Sequence, residues 1–443
     1  MKSYFDEKLL INNEAGLKLY NHVKDLPIVD YHCHLNENEI KNNIKFKNIT
    51  ELWLGTDHYK WRVMRNCGVD EKYITGDASD YDKFLAFASI MPKLAGNAIY
   101  YWAQLELKLV FGVNEPLNKN NAKRIYDLCN EKLETITTQS LLKSFKVEYL
   151  ATTDDPISSL SAHKEYDGIK VVPTFRPDRL FALEEEYINE LSKCSNVNIT
   201  DLESLKLALE NRIDYFVSKG CKISDHGMDF LPMKDCSEEV VNEIFINRAN
   251  ISEEDRIKFF SHMMRFLAKT YHKKNMVMQI HFATFRNTNR KLFGSIGRDA
   301  GFDVMRHQTY TDRLVDFFND LNDLDALPKT ILYSLNPYAI REISAIAGSF
   351  RNVKIGPAWW FNDTVLGNRE QLETIAEYST LGSFLGMLTD SRSFSSYVRF
   401  DFFRRILANL VGEYVENGEY DFDSALELMD DICYNNIKRF LDL

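Results

Sequence analysis

The chain has no C-x-x-C pair, and its seven cysteines (Cys33, Cys67, Cys129, Cys194, Cys221, Cys236 and Cys433) are an odd number. That usage argues against a disulfide framework and against a cysteine-rich zinc site, and it suits a reducing cytoplasm. No run of 18 apolar residues occurs, and the opening MKSYFDEKLLINNEAG is acidic early with no apolar h-region, so neither a membrane span nor a signal peptide is predicted. Positive charge is in short supply: 54 Lys and Arg face 65 Asp and Glu, for a net charge of −11. A broad electrostatic grip on nucleic acid or an anionic membrane is therefore not expected, and an anionic ligand has to be caught by local arginines. No Pro/Ser linker, low-complexity tract or repeat of fixed period divides the 443 residues.

What is present is an ordinary soluble composition, 45% hydrophobic and 27% charged, sufficient for a large core. Eight short apolar, β-branched runs read as strands: 27–35, 147–156, 168–178, 220–229, 275–283, 329–337, 352–363 and 384–392. Amphipathic helices lie between most of them. In 252–274, for example, Ile257, Phe260, Met264 and Leu267 repeat at three- and four-residue steps behind Ser252 as N-cap. This βα alternation predicts an α/β fold, a TIM-type (β/α)8 barrel whose functional groups gather at the carboxyl ends of the strands. The gap between the first two runs is too long for one crossover and reads as helical. The expected division is an N-terminal helix and strand 1 (1–35), a mainly helical insertion or cap (36–146) and the rest of the barrel (147–443).

Side chains alternate faces along a strand, so in PIVDYHCHL His32 and His34 share a side and Cys33 takes the other. Two imidazoles at a strand end can hold one divalent ion, with further ligands from other strands. His281 ends the fifth run and Asp390 the eighth, completing a set of three histidines and one carboxylate suited to zinc, with manganese an alternative. Whether His281 ligates the ion or only contacts substrate is left open by the spacing.

Those strand-end residues match the metal pattern of the amidohydrolase superfamily. The segments DYHCHL, LGTDHYKWRVMR, TGDAS, TTDDP, FRPD, SDH, LPKTILYSLNP, WWFND and GMLTDSRSF, spread over nearly the whole chain, resemble uronate isomerase, also called glucuronate isomerase. The resemblance implies an aldose–ketose isomerase interconverting D-glucuronate with D-fructuronate and D-galacturonate with D-tagaturonate. Binuclear members of the superfamily carry a lysine on strand four and a histidine on strand six. Here those strands end in Asp225–His226 and Leu335–Asn336, so one ion per chain is expected.

Moving hydrogen between C2 and C1 requires ring opening, loss of the C2 proton and stabilisation of charge on oxygen, the last a task for a Lewis-acid cation. Asp390 could both touch the metal and shuttle the hydroxyl proton. The resemblance implies that His58 and Tyr59 handle the C2–C1 proton; on residue type alone they read as surface or packing groups. Arg176 and Arg392, each just past a strand, are candidates for the substrate carboxylate. Asp225 could accept from sugar hydroxyls or orient Arg176, and Trp359 could stack on the sugar or fill core. The expected partner is a small uronate, with no nucleic acid and no membrane, and homo-oligomer formation is left open. Two alternatives remain: a mononuclear metal-dependent hydrolase of the same superfamily, and a non-catalytic barrel that binds a sugar acid or a partner protein.

Overall fold

The computed structural model describes residues 4–307 and 310–443. Its strands, in chain order, are β1 (Ile28–Asp30), β2 (Val147–Ala151), β3 (Glu165–Tyr166), β4 (Ile169–Val172), β5 (Ile223–Gly227), β6 (Val277–Phe282), β7 (Thr284–Phe285), β8 (Val304–Met305), β9 (Thr330–Ser334) and β10 (Val353–Ile355). They form two four-stranded sheets, ordered β1-β2-β4-β3 and β10-β9-β6-β5, and a β7-β8 pair. Pairing in the two large sheets is parallel except for β3 against β4. Phe175 bridges Asp154 on one side and Ser224 on the other, so the chain just past β4 links the two sheets.

The parallel strands are almost wholly buried, as in β6 and β9, where every residue is buried. This follows from covering both sheet faces, so even polar groups such as Gln279 and Thr330 are buried in these strands. The helix Glu253–Lys273 begins where the pattern predicts, with Ser252 accepting from the Asp255 backbone N–H. Phe260, Met264 and Leu267 on its inner stripe are buried. Between β1 and β2 the described chain is helical, including Ile49–Leu54, His58–Asn66, Asp80–Ile90, Ala98–Leu109 and Ala122–Leu133.

Seven of the eight expected runs contain a parallel strand. The eighth, 384–392, does not. Gly386 and Asp390 take left-handed backbone angles, φ +76° and +44°, which interrupt a regular ladder. The Thr389 N–H is also diverted to the Asp30 carboxylate (2.9 Å). The segment still runs beside β1: Asp390 N donates to His32 O (3.0 Å) and His34 N to Ser391 O (2.9 Å). All seven cysteines are free, and among the described residues no helix is long and apolar enough to cross a membrane.

Candidate active site

The carboxyl ends of the parallel strands open into a cavity of about 270 Å³ lined by His32, His34, His58, Tyr59, Thr153, Arg176, His281, Arg286, Asp299, Trp359, Trp360, Asp390 and Arg392. Every site residue expected from the sequence lines it except Asp225, which lies behind the wall. Asp225 is fully buried, accepts the Nδ1–H of His281 (2.7 Å) and meets Arg176 Nη1 at 2.9 Å. Burial pushes its carboxyl up, but Arg176 and then His281 outweigh that and hold it well below the usual range. An ionised Asp225 fixes the tautomer of His281, leaving Nε2 bare; that nitrogen is buried and has no hydrogen-bond partner. A carboxylate behind an imidazole with a free forward nitrogen is the usual support of a metal-binding histidine.

Asp390 stands at the centre. Its Oδ1 lies 3.2 Å from His32 Nε2 and 3.1 Å from His34 Nε2, and its Oδ2 accepts from Trp359 Nε1 (2.8 Å). Trp359 thus does more than fill core: it holds one carboxylate oxygen while the other faces the histidines. Burial raises the Asp390 carboxyl, yet the two imidazoles overcome it and keep the group well below the ordinary range. His32 is lowered by burial but raised more by Asp225 and Asp390, so its net shift is upward. Two carboxylates, Asp225 and Asp390, thus act on His32 and favour positive charge there.

Ligand-type atoms within 4.8 Å of one another fall into two groups that share His32: one of His32, His34 and Asp390, the other of His32, Asp225 and His281. The donor set of the first, two imidazoles and a carboxylate, suits a zinc-type ion. In the second, Arg176 already places its charge against Asp225, so a second cation there would be repelled. The four predicted ligands are thus neighbours without forming one cluster, and His281 reaches the first group through ring contact with His32 (centroids 5.0 Å).

Part of the lining comes from the helix His58–Asn66, whose N-cap Asp57 accepts from the Tyr59 and Lys60 backbone N–H groups. His58 and Tyr59 stack on each other (4.7 Å) and meet Trp360 edge-on. Burial, with Arg392 nearby, pushes His58 down to about 4. Burial first, then Asp390, pushes the Tyr59 phenol well above its normal value. The pair that residue type would leave on the surface lines the cavity after all.

The arginines differ from expectation in their engagement. Arg176 turns Nε to Asp178 (2.8 Å) and Nη1 to Asp225, so two carboxylates already hold its fork. Arg392 contacts Asp299 (3.1 Å) and Arg286 contacts Asp303 (3.3 Å). Arg286, Asp299 and Thr153 were not singled out from the sequence. For Arg286 a signal existed, since it follows the His281 strand end by five residues; Asp299 lies in a loop with none.

Tyr333 supports the floor. Its ring stacks on His281 (4.1 Å, 9° between planes) and its hydroxyl donates to Gln279 (2.6 Å). A Cβ on Gly356 would lie 1.9 Å from Tyr333 Cε1. Gly356→Ala is therefore expected to displace Tyr333 and with it His281. The cost should be about 1–3 kcal/mol of overpacking, read as a lower urea midpoint with an accompanying loss of activity. An unchanged midpoint and full activity would show that the stack does not set the site.

The model of the glucuronate isomerase family matches residues 1–441. The chain belongs to that family. A uronate isomerase of Clostridium perfringens is 42% identical, with 99% of each sequence covered. The crystal structure of uronate isomerase from Thermotoga maritima superposes with a TM-score of 0.96 at 34% identity, covering 99% of this chain and 100% of the other. Glucuronate isomerase from Caulobacter crescentus gives 0.94 at 28% identity, covering 99% and 97%. Of the readings open at the outset, membership of the glucuronate isomerase family sets aside the hydrolase and the non-catalytic barrel.

Proposed function

We propose that the chain interconverts D-glucuronate with D-fructuronate and D-galacturonate with D-tagaturonate, using one divalent ion held by His32, His34 and Asp390 with His281 beside them. The observation that supports this most is the meeting, in one cavity, of a histidine–carboxylate cluster and the Arg392 and Arg286 guanidinium groups. The bound ion, read as zinc from the N/O donor set with manganese second, would act as a Lewis acid that stabilises negative charge on the sugar oxygens.

The remaining work falls to side chains. Asp390, ionised and with Oδ2 anchored by Trp359, can take the hydroxyl proton that ring opening releases. His58 is neutral at pH 7 because burial lowers it, so its imidazole can accept a proton, while the un-ionised Tyr59 offers its hydroxyl. Together they can carry the proton between C2 and C1. Arg392 and Arg286 face the C6 carboxylate, and Arg176, committed to Asp178 and Asp225, is left to orient Asp225 and contact sugar hydroxyls.

The same reading takes the seven parallel strands and the extended 384–392 segment as the eight staves of a barrel. It takes residues 36–146 as its cap, with the reaction in the cytoplasm on a free small-molecule uronate. Incubating the metal-loaded enzyme with D-glucuronate in D₂O tests the chemistry. Ketose signals should grow in the NMR spectrum while the C2 proton of the substrate disappears. An unchanged C2 proton with no ketose would sink the proposal.

A further inference from the structure

Arg399, the second residue of the helix Val398–Glu416, is only 3% exposed. Among the described residues it makes no ion pair at contact distance, but its charge faces the buried Asp57 and Asp363 carboxylates and opposes the upward push of burial on both. Its Nε is buried without a hydrogen-bond partner. The two carboxylates offset part of the cost of burying the guanidinium, while the bare Nε adds to it, and neither explains why the group lies flat on two rings.

Its contacts indicate its use. The guanidinium lies over the Trp102 ring (3.9 Å to the centroid) and over the Tyr59 ring (5.1 Å). Its Nη1 donates to the carbonyl oxygen of Thr389 (2.8 Å). Thr389 is also held from the other side, where its N–H and hydroxyl both donate to Asp30 (2.9 and 2.7 Å). The next residue, Asp390, sits in a left-handed conformation (φ +44°) that a non-glycine residue keeps only when its surroundings hold it there. A small void lined by Tyr59, Trp359, Asp390 and Arg399 shares the first three of these residues with the reaction cavity.

The structure assigns Arg399 as a positioning residue for the isomerisation, one that holds the Tyr59 ring and the Thr389–Asp390 backbone in fixed relation to each other. It rests on the reading of Tyr59 and Asp390 given above. The charge over the Tyr59 ring face also favours negative charge developing on that side chain as its proton moves, which no apolar replacement would reproduce. Lysine is a poor substitute, because one ammonium cannot both lie flat on two rings and reach a carbonyl.

The test uses the metal-loaded enzyme with Arg399→Met, Arg399→Lys, Tyr59→Phe and the Arg399→Lys/Tyr59→Phe double variant, with metal content and melting temperature followed for each. Arg399→Met should lower kcat about 100-fold, and Arg399→Lys at least about tenfold, with KM within about threefold and metal content retained. In the Tyr59→Phe background the Lys substitution should cost far less than it does alone, since its partner is already gone. If Arg399→Met does not fold, the Lys variant and its double-mutant cycle carry the test. A kcat for Arg399→Lys within about threefold of wild type, or effects that simply multiply in the double variant, would overturn the assignment. Full activity in Tyr59→Phe would instead remove the role of Tyr59, and this inference with it.

Discussion

Asp390→Asn is expected to reduce ketose formation by about 10³-fold or more, a loss of some 4 kcal/mol of transition-state stabilisation, while the protein stays folded. Asparagine keeps the size and shape of the side chain and can still accept from Trp359 Nε1 through its carbonyl oxygen. What it then turns toward His32 and His34 is an NH₂ donor, where aspartate presents Oδ1 at 3.2 and 3.1 Å. Two functions go together. The charge that with two imidazoles makes a cation site is lost, and so is the acceptor for the hydroxyl proton. Metal analysis separates them: ion retained with turnover gone assigns the loss to proton handling, whereas ion lost assigns it to binding. Turnover within about threefold of wild type, worth only about 0.7 kcal/mol, would mean that Asp390 has neither role.

The second large effect is on stability. Lys60→Met is expected to destabilise the fold by about 3–5 kcal/mol, because it removes the ammonium in contact with two buried carboxylates. Lys60 Nζ lies 3.0 Å from Asp57 and 3.2 Å from Glu106, and Lys60, Asp57 and Glu106 are 2, 5 and 1% exposed. Ser395 bonds the far oxygen of Glu106, so the carboxylate cannot swing out to water without breaking that contact. Asp57 also caps the helix that carries His58 and Tyr59, so the damage reaches the cavity wall. The pH dependence has a definite sign. Burial raises the Asp57 carboxyl, but Lys60 and then Arg399 outweigh it, and the folded-state value lies below the ordinary 3.8. Asp57 therefore stabilises the wild type above that ordinary value, and the contribution is lost as pH falls through the depressed one. Without Lys60, burial still raises Asp57 against the remaining Arg399 charge, and protonation relieves it. The gap between wild type and variant in urea titrations should thus be widest near neutrality and narrow toward acid pH. A gap below about 1 kcal/mol at pH 7 would show that the triad is hydrated and contributes little.

Much of the site was visible in the linear chain because it obeys local rules. His32 and His34 point the same way because strand geometry has a period of two, and that inference needs no knowledge of the rest of the molecule. His281 and Asp390 stand out as polar groups closing apolar runs. The helix beginning after Ser252 shows its cap and its inner stripe within one window of sequence. Only likeness to a family drew attention to His58 and Tyr59, since nothing in GTDHYKWR itself separates a cavity wall from a surface turn.

Other parts were hidden because their causes lie far away along the chain. Asp30 looks like a stray acid in an apolar strand until Thr389, 359 residues later, closes on it. Arg399 looks like one more helical arginine until Trp102, Tyr59 and the Thr389 carbonyl surround it. The last expected strand failed because Asp30 takes the N–H that a ladder would use and Asp390 turns left-handed beside it.

Alternation, capping and composition act over a few residues, and from them alone came the α/β class, the order of the strands along the chain and the side on which His32 and His34 emerge. Which carboxylate supports His281, that the Arg176 fork is already taken, and where the Arg399 guanidinium meets Tyr59 were settled by folding. Each depends on distances between segments hundreds of residues apart, set by how two sheets and their helices pack.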